Sequence, residues 1–288
     1  MDILVSDDQH GQRLDMLAAQ AMPRLSRAFV QKLCAQERIA VNGQPAKPGH
    51  KLRQGDAVHI DYDEAELDNV PHIDLPIIYE DDDCMVINKP AGVLTHGQGA
   101  LSSEATVATF LRNIAFKDLS GERAGIVHRL DRATSGVIIG AKHAAALSAL
   151  QKQFAQRKTK KTYVAIVEGH PAQSEAHIDM PIERNPKAPA TFRTGSGGKP
   201  ARTHYRVVKE NNSYSLVELT PETGRTHQLR VHMAKIGHPI VGDPLYGTGH
   251  YGDRLYLHAK SLELTLPNRK RRTFTAPVPT DFTHLLEQ

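Results

Sequence analysis

The sequence has little cysteine, no tryptophan and no long apolar run. Its two cysteines, Cys34 and Cys84, are far apart and lack CxxC spacing, which excludes a disulfide framework and a cysteine zinc site and fits a reducing cytosol. No stretch approaches the roughly 18 apolar residues of a membrane-spanning helix. The first residues are acidic and mixed, which argues against a secretory signal. We therefore expect a cytoplasmic protein without a membrane partner.

Metal and nucleotide motifs are also missing, although the chain has 16 histidines. His227 and His232 are five positions apart rather than four, so we do not interpret them as metal ligands. Neither a P-loop nor a GxGxxG loop in a strand–loop–helix context occurs. We expect no metal and no cofactor.

The net charge of +4 is distributed unevenly along the chain. Residues 24–53 contain seven Lys or Arg against one acid, and residues 54–83 contain eleven acids and no Lys or Arg. From Cys84 onward, 28 basic residues stand against 16 acidic ones. This pattern is typical of a protein that binds a polyanion, because phosphate contacts supply most of such affinity. A merely soluble basic protein is the alternative.

Hydrophobic periodicity predicts a small α+β module over residues 1–62. Apolar residues recur on one helical face over 13–22 and again over 27–36. The pair Asn42-Gly43 follows a short β-branched run and is a strong hairpin signal.

The acidic segment 63–75 is interpreted as a linker, and residues 76–288 as one larger domain. In that domain the predicted strands outnumber the predicted helices, and many are joined by short turns. The prediction is an α+β fold with a mainly antiparallel sheet, not a doubly wound one.

The most informative stretch is AGIVHRLDRATSGVIIGAK, residues 124–142. Two β-branched runs flank a polar loop in which Asp131 lies between Arg129 and Arg132. A carboxylate between buried strands is costly to desolvate unless it is paired. Asp131 is therefore either part of a structural ion pair or a reactive group, and charge pattern alone favours the first.

The motif HRLDxxTSG in this stretch resembles the signature of the RluA family of pseudouridine synthases. The segment TGRTHQLRVH at 223–232 resembles the second block of that family, and GHPIVGDPLYG at 237–247 resembles the third. NKPAG at 88–92 resembles its NKPxG loop. Three blocks in the right order argue against a chance match. The likeness is strongest to the RluD and RluC types, which act on the large ribosomal subunit and carry an extra RNA-binding domain.

The resemblance implies a pseudouridine synthase fold and assigns roles to five residues. Asp131 is the implied catalytic residue, and Arg129 is implied to enter the space that the flipped base vacates. Tyr163 would pack against the target uracil, Arg225 would pair with Asp131, and Leu229 would form an apolar floor under the base. The alternatives are strand packing for Tyr163, a phosphate contact for Arg225 and plain core for Leu229.

The first 62 residues resemble an S4 RNA-binding domain through the patterns xRLDxxL, SRxxVQKL and VNGxxxKPGxKLxxGD. In that family the second helix and the following hairpin present a basic face to RNA. Here the implied RNA-binding residues are Arg24, Arg27, Lys32, Arg38, Lys47 and Lys51. The alternative is that these are ordinary solvated surface charges.

The sequence therefore predicts an RNA pseudouridine synthase that isomerises specific uridines of large-subunit (23S) ribosomal RNA. The reaction needs no redox step and no group donor, which agrees with the missing cofactor motifs. Ribosomal RNA is the expected partner, and a monomer is the default expectation. Two alternatives are the same chemistry on transfer RNA and a non-catalytic RNA-binding factor of ribosome assembly.

Overall fold

The computed structural model describes residues 1–23, 25, 27–63, 72–97, 104–112, 114, 119, 125–249 and 254–287. Arg24 and most of the predicted acidic linker lie outside these residues. The described residues form two compact units. The first contains the described residues within 1–73 and 96–109, and the second contains Asp74–Thr95 and the described residues from Phe110 onward.

The first unit has a four-stranded antiparallel sheet and two α-helices near its start. Its elements are β1 (Asp2–Leu4), α1 (Leu14–Ala21), α2 (Arg27–Ala35), β2 (Ile39–Val41), β3 (Gln44–Pro45) and β4 (Ala57–Ile60), with a 3-10 turn at Asp7–Gln9. The strand order is β1-β4-β2-β3. Asn42 and Gly43 both have positive φ, 51° and 77°, which is the geometry of the predicted hairpin turn. The apolar faces of α1 and α2 pack on this sheet through Leu14, Phe29 and Leu33.

A nine-stranded sheet dominates the second unit. From Ile77 onward the elements of the chain are β5 (Ile77–Glu80), β6 (Cys84–Lys89), α3 (Val107–Arg112), β7 (Ser135–Ala141), α4 (Ala144–Ala155), β8 (Lys160–Glu168), β9 (Glu175–Asp179), β10 (Ile182–Arg184), β11 (Phe192–Thr194), β12 (Arg202–Glu210), β13 (Tyr214–Pro221), α5 (Gln228–Lys235), β14 (Leu257–Thr265), β15 (Arg271–Thr275) and α6 (Thr280–Glu287). The order is β5-β6-β7-β14-β8-β13-β12-β9, with β15 beside β14 and a separate β10–β11 hairpin. Among the described strands, only β7 and β14 pair in parallel. The predicted α+β fold with a mainly antiparallel sheet is confirmed.

The strand that leaves the polar loop, β7, is buried along its whole length. Ala146 and Leu150 of α4 belong to the same apolar cluster as Val137 and Ile139 of this strand. A strand covered on both faces carries a continuous apolar run, as residues 137–139 do.

The parallel pairing of β7 with β14 depends on a glycine. Gly136 has φ +113°, and a Cβ atom at this position would lie 2.2 Å from the carbonyl oxygen of Ala259. No side chain fits in that space. Gly136 therefore allows the two strands to approach directly after the polar loop, and so determines where that loop leaves the sheet.

No helix in the described ranges is both long enough and apolar enough to cross a membrane.

Candidate active site

A cavity of about 460 Å³ opens in the second unit beside the polar loop. Its walls come from the loop before β7, from β8, from the end of β13 and from the turn that leads into α5. The volume is within the range of small-molecule sites. The lining includes all five residues that the sequence predicted for uridine binding and catalysis, namely Arg129, Asp131, Tyr163, Arg225 and Leu229.

The loop that carries Asp131 is held by the segment that follows β6. The Gly92 N–H donates to the carbonyl of Arg132 at 2.9 Å. The Thr95 hydroxyl donates to the carbonyl of Leu130 at 2.8 Å and accepts from the Leu130 N–H at 3.1 Å. These bonds flank Asp131 on both sides, so its backbone has little freedom to move.

Lys89 adds a third anchor to the same loop. Its side chain is fully buried, and Nζ donates to the carbonyls of Pro90 at 2.8 Å, Val93 at 2.8 Å and Arg132 at 3.2 Å. Three carbonyl acceptors match the three N–H bonds of an ammonium group. Burial lowers the pKa of Lys89 to about 7, and the charge of Asp131 opposes that shift. Lys89 therefore joins the NKPAG segment to the Asp131 loop.

Two side chains approach the carboxylate of Asp131, whose own side chain is 20% exposed. Nη1 of Arg230 lies 3.5 Å from Oδ2, and Nε2 of His227 lies 3.8 Å from the same oxygen. Arg230 is itself held by two hydrogen bonds of 2.7 Å to the carboxylate of Asp243. A guanidinium bound on one side by Asp243 presents its remaining N–H groups to Asp131 in a defined direction.

The predicted pairing of Arg225 with Asp131 is wrong. Nε of Arg225 donates to the carbonyl of Pro200 at 3.0 Å, and the guanidinium beside Asp131 is that of Arg230. The physical reason is the start of α5 at Gln228. Arg230 lies in the first turn of this helix and is buried, whereas Arg225 precedes the helix in the turn that forms the cavity wall.

The turn before α5 is organised by the amide of Gln228. Its Oε1 accepts from the Thr223 hydroxyl at 2.7 Å and from the Arg225 N–H at 3.0 Å. Its Nε2 donates to the Arg202 carbonyl at 2.9 Å and to the Thr203 hydroxyl at 3.0 Å. All four hydrogen-bonding positions of this buried amide are used, which rigidifies the segment TGRTHQLR.

Several other side chains in the cavity wall are apolar or neutral. Leu229 is buried and belongs to the main core cluster, so it is both core and cavity floor. Burial, and secondarily the charge of Asp131, raises the pKa of Tyr163, which keeps its phenol neutral. His128 stacks on Phe154 with ring centroids 4.5 Å apart. Burial lowers the pKa of His128 to about 3, so this ring is neutral as well.

Arg129 differs from the buried Arg230 at the same cavity. It is exposed, and within the described part of the chain no hydrogen bond or ion pair holds its side chain. The guanidinium can therefore change position when a ligand enters.

One predicted RNA-binding residue of the first unit, Arg27, has a structural partner in a buried carboxylate. Arg27 is half exposed and bonds the buried carboxylate of Asp15, with Nε 2.9 Å from Oδ2. Arg13 and Gln31 bond the same carboxylate. These bonds, led by the one from Arg13, lower the pKa of Asp15. Arg27 therefore joins α2 to α1 as well as facing solvent.

The other described members of this set lie at or near the surface. Arg38 pairs with Asp61 at 3.7 Å and lies over the ring of Tyr62. Nζ of Lys51 donates to the carbonyl of Gly11 at 3.0 Å. Lys32 and Lys47 are exposed.

Sequence reasoning missed the residues that hold Asp131 in place. Arg230 belongs to the second motif block, but the choice between it and Arg225 requires the position at which α5 begins. Asp243 belongs to the third block, and only the fold brings it to the second. A signal for Lys89 is present in NKPAG, because a lysine at the end of a buried strand needs several partners.

Comparison with known proteins identifies the class of this chain. The RNA pseudouridylate synthase family matches residues 83–235, and the S4 domain family matches residues 12–58. A solved human structure, RNA Pseudouridylate Synthase Domain Containing 1, superposes with a TM-score of 0.60 at 31% identity, over 72% of this chain and 85% of that one. The chain belongs to the RNA pseudouridylate synthase family and carries an S4 domain.

Curated relatives extend the match to the full chain. Ribosomal large subunit pseudouridine synthase D of Nitrosomonas europaea is 37% identical over 307 residues, which cover 100% of this chain and 87% of the relative. An RNA pseudouridine synthase of Aquifex aeolicus is 42% identical over 254 residues, which cover 85% of this chain and 77% of the relative. The resemblance that the three motif blocks indicated is confirmed, and the non-catalytic alternative is set aside.

Among the described residues, no group of three histidine, cysteine or acidic side chains is arranged to hold a metal ion.

Proposed function

We propose that this chain converts specific uridines of 23S ribosomal RNA into pseudouridine, with Asp131 as the catalytic carboxylate. The support for the target is the full-length similarity to the Nitrosomonas europaea protein named ribosomal large subunit pseudouridine synthase D. The support for the residue is the position of Asp131 in the cavity wall, anchored on both sides and at ion-pair distance from Arg230.

The reaction is an isomerisation that needs one ionised carboxylate. The N1–C1′ bond breaks, the uracil turns, and a C5–C1′ bond forms; C5 loses a proton and N1 gains one. A carboxylate can attack C1′ or remove a ribose proton, and both routes require Asp131 in its charged form. The guanidinium of Arg230 lies 3.5 Å from that carboxylate and orients it.

The uridine enters the cavity by leaving its stack. Tyr163 and Leu229 offer flat and apolar surfaces on which the extruded uracil can pack. Arg129 can occupy the position that the base leaves, because its guanidinium stacks and also donates hydrogen bonds. Arg225 lies at the cavity wall, where its role is contact with the nucleotide and not pairing with Asp131.

The S4 domain supplies affinity for the RNA backbone in this proposal. Its exposed cations would contact phosphates, and such contacts make binding depend steeply on salt. The RNA-binding set is Arg24, Arg27, Lys32, Arg38, Lys47 and Lys51.

The observation that carries the proposal is the convergence of Asp131, Tyr163 and Leu229 on one cavity. The test is Asp131→Asn, which is nearly isosteric and removes only the charge. Transcripts of 23S ribosomal RNA and of transfer RNA are incubated with each protein, pseudouridine is mapped by carbodiimide stops, and RNA affinity is measured in parallel. Asp82→Asn, an exposed position in the β5–β6 turn, is the matched control.

We expect Asp131→Asn to abolish modification while RNA affinity stays within about twofold, and Asp82→Asn to behave as the wild type. Persistent modification by Asp131→Asn would remove that residue from the mechanism. Modification of transfer RNA alone would overturn the ribosomal target and leave the chemistry in place.

A further inference from the structure

His227 has an unusual backbone conformation at the edge of the cavity. It is the residue before α5, and its φ of 55° and ψ of 18° place it in the left-handed region. Residues other than glycine are uncommon there, and they concentrate at functional sites. The imidazole lines the cavity, where the side chain is 16% exposed.

A chain of polar contacts runs through this imidazole to Asp131. The Phe192 N–H donates to the hydroxyl oxygen of Tyr246 at 2.8 Å. That hydroxyl lies 2.8 Å from Nδ1 of His227, and Nε2 of the same ring lies 3.8 Å from Oδ2 of Asp131. The ring also packs edge-on against Phe192 and Tyr246, which fixes its plane.

The contacts at the two ends of the ring favour one tautomer of His227. An ionised carboxylate only accepts hydrogen bonds, so the nitrogen that faces Asp131, Nε2, is favoured as the N–H. Nδ1 then carries the lone pair and needs a donor. The Tyr246 hydroxyl can supply it, because its oxygen accepts from the Phe192 N–H while its own O–H points to Nδ1.

We propose that His227 is a positioning residue for Asp131, and that Tyr246 holds it in the tautomer whose Nε2–H faces the carboxylate. The inference rests on the proposed role of Asp131. Contacts of this kind are often long in the free enzyme and shorten when substrate closes the site. His227 and Arg230 would then hold the same oxygen of Asp131 from two directions.

The charges around His227 are consistent with a neutral donor. Burial lowers the pKa of His227, Asp131 and Asp243 oppose that shift, and Arg230 and Arg129 add to it. The imidazole is therefore neutral at pH 7, so it offers one N–H group toward Asp131 and does not add a positive charge beside Arg230.

The carboxylate itself is surrounded by titratable groups from several elements. Besides Arg230 and His227 near the start of α5, the ammonium of Lys89 at the end of β6 interacts with the charge of Asp131. The phenols of Tyr163 and Tyr246 interact with it as well. His227→Asn changes only one of these groups, so a shift in the pH–rate profile of this variant reports on the contact between His227 and Asp131.

The test compares His227→Asn with Tyr246→Phe and with the double variant, in single-turnover reactions on the transcript that the wild type modifies. Asparagine tolerates the left-handed conformation and keeps an acceptor near Nδ1, but it has no donor at the position of Nε2. We expect His227→Asn to lower the single-turnover rate about 10- to 100-fold with RNA affinity within about twofold. Tyr246→Phe should lower it less, and the double variant should be no slower than His227→Asn.

Two further measurements distinguish positioning from a structural role. A carboxylate that loses a donor is protonated at higher pH, so the acid side of the pH–rate profile should move upward in His227→Asn. His227→Gln, whose amide N–H can reach the position of Nε2, should recover part of the rate. Tyr205→Phe is the control, because its hydroxyl donates to the Gln173 carbonyl outside the cavity.

A wild-type rate and pH profile in His227→Asn would overturn the proposal. If that variant does not fold, an unchanged rate in Tyr246→Phe would overturn the part assigned to the hydroxyl. A His227→Gln variant that is no faster than His227→Asn would overturn the part assigned to the imidazole N–H. An active Asp131→Asn would instead refute the proposed function, whatever the His227 variants do.

Discussion

Replacing Arg230 by glutamine would separate the two tasks of this side chain. Arg230 binds Asp243 through two hydrogen bonds of 2.7 Å and approaches Asp131 at 3.5 Å. The Arg230 side chain is 6% exposed and that of Asp243 is 0% exposed. Arg230→Gln therefore leaves the buried carboxylate of Asp243 without its cation and removes the ion pair of Asp131.

The burial of this pair sets the size of the stability effect. Removing one partner of a buried ion pair costs about 3–5 kcal/mol. The lower end applies here, because Asp243 also accepts the backbone N–H groups of Leu245 and Tyr246. A loss of about 3 kcal/mol corresponds to a decrease in Tm of about 6–12 °C for a unit of this size.

The double variant with Asp243→Asn provides the control. With both charges removed, no buried carboxylate is left uncompensated at position 243. We therefore expect the double variant to lose less unfolding free energy than the two single variants lose together, with a difference of at least about 1 kcal/mol. Asp131 still lacks its partner, so the single-turnover rate should remain at least about 100-fold below the wild type.

Thermal unfolding and single-turnover modification are measured on the same preparations, at temperatures where every variant is folded. If the double variant regains activity together with stability, Arg230 acts only through the fold, and the orientation of Asp131 does not depend on it. The same conclusion would follow if Arg230→Gln modified RNA at the wild-type rate.

Three further predictions concern packing, pH and salt. Gly136→Ala should lower the free energy of unfolding by at least about 2 kcal/mol because its Cβ has no space. Gly237 has φ +91°, but a Cβ atom at this position would meet no atom within 4 Å. Gly237→Ala should therefore show only the smaller cost of the backbone conformation, and denaturant unfolding compares the stability of the two variants. The pKa of Asp15 is lowered in the folded state, so its contribution to stability is present above its ordinary value of 3.8 and is lost progressively as the pH falls below it. Asp15→Asn should therefore melt below the wild type at pH 7, and the difference in Tm should narrow as the pH falls below 3.8. Lys47→Gln should weaken RNA binding and reduce the slope of log affinity against log salt by about 0.7–0.9 without changing Tm. Arg27→Gln should also lower Tm, because the Arg27 side chain bonds Asp15. If Lys47→Gln and Arg27→Gln had the same Tm, Arg27 would have no structural role beyond that of Lys47.

The local features of this fold were predictable because they depend on neighbours in sequence. The turn at Asn42-Gly43 follows from the ease with which these residues adopt positive φ. The helix α4 (Ala144–Ala155) is likewise visible in the spacing of its apolar side chains Leu147, Leu150 and Phe154. The candidate catalytic residue is found in the same way, because HRLDxxTSG is a local motif.

Arrangements that depend on distant segments were not predictable from periodicity. The parallel pairing of β7 with β14 joins residues more than a hundred positions apart, and a glycine makes it possible. The anchors of the Asp131 loop come from β6 and the segment after it, some forty positions away along the chain.

Contiguous motifs are sufficient to predict the class of enzyme, the acid at the centre of the site and the two-part organisation of the chain. The cation that accompanies that acid depends instead on the three-dimensional arrangement. Arg225 and Arg230 are equivalent in charge and close in sequence, but α5 begins between them and buries only the second. A buried guanidinium needs a carboxylate, and Asp243 and Asp131 meet that need together, so desolvation and not motif position selects the partner.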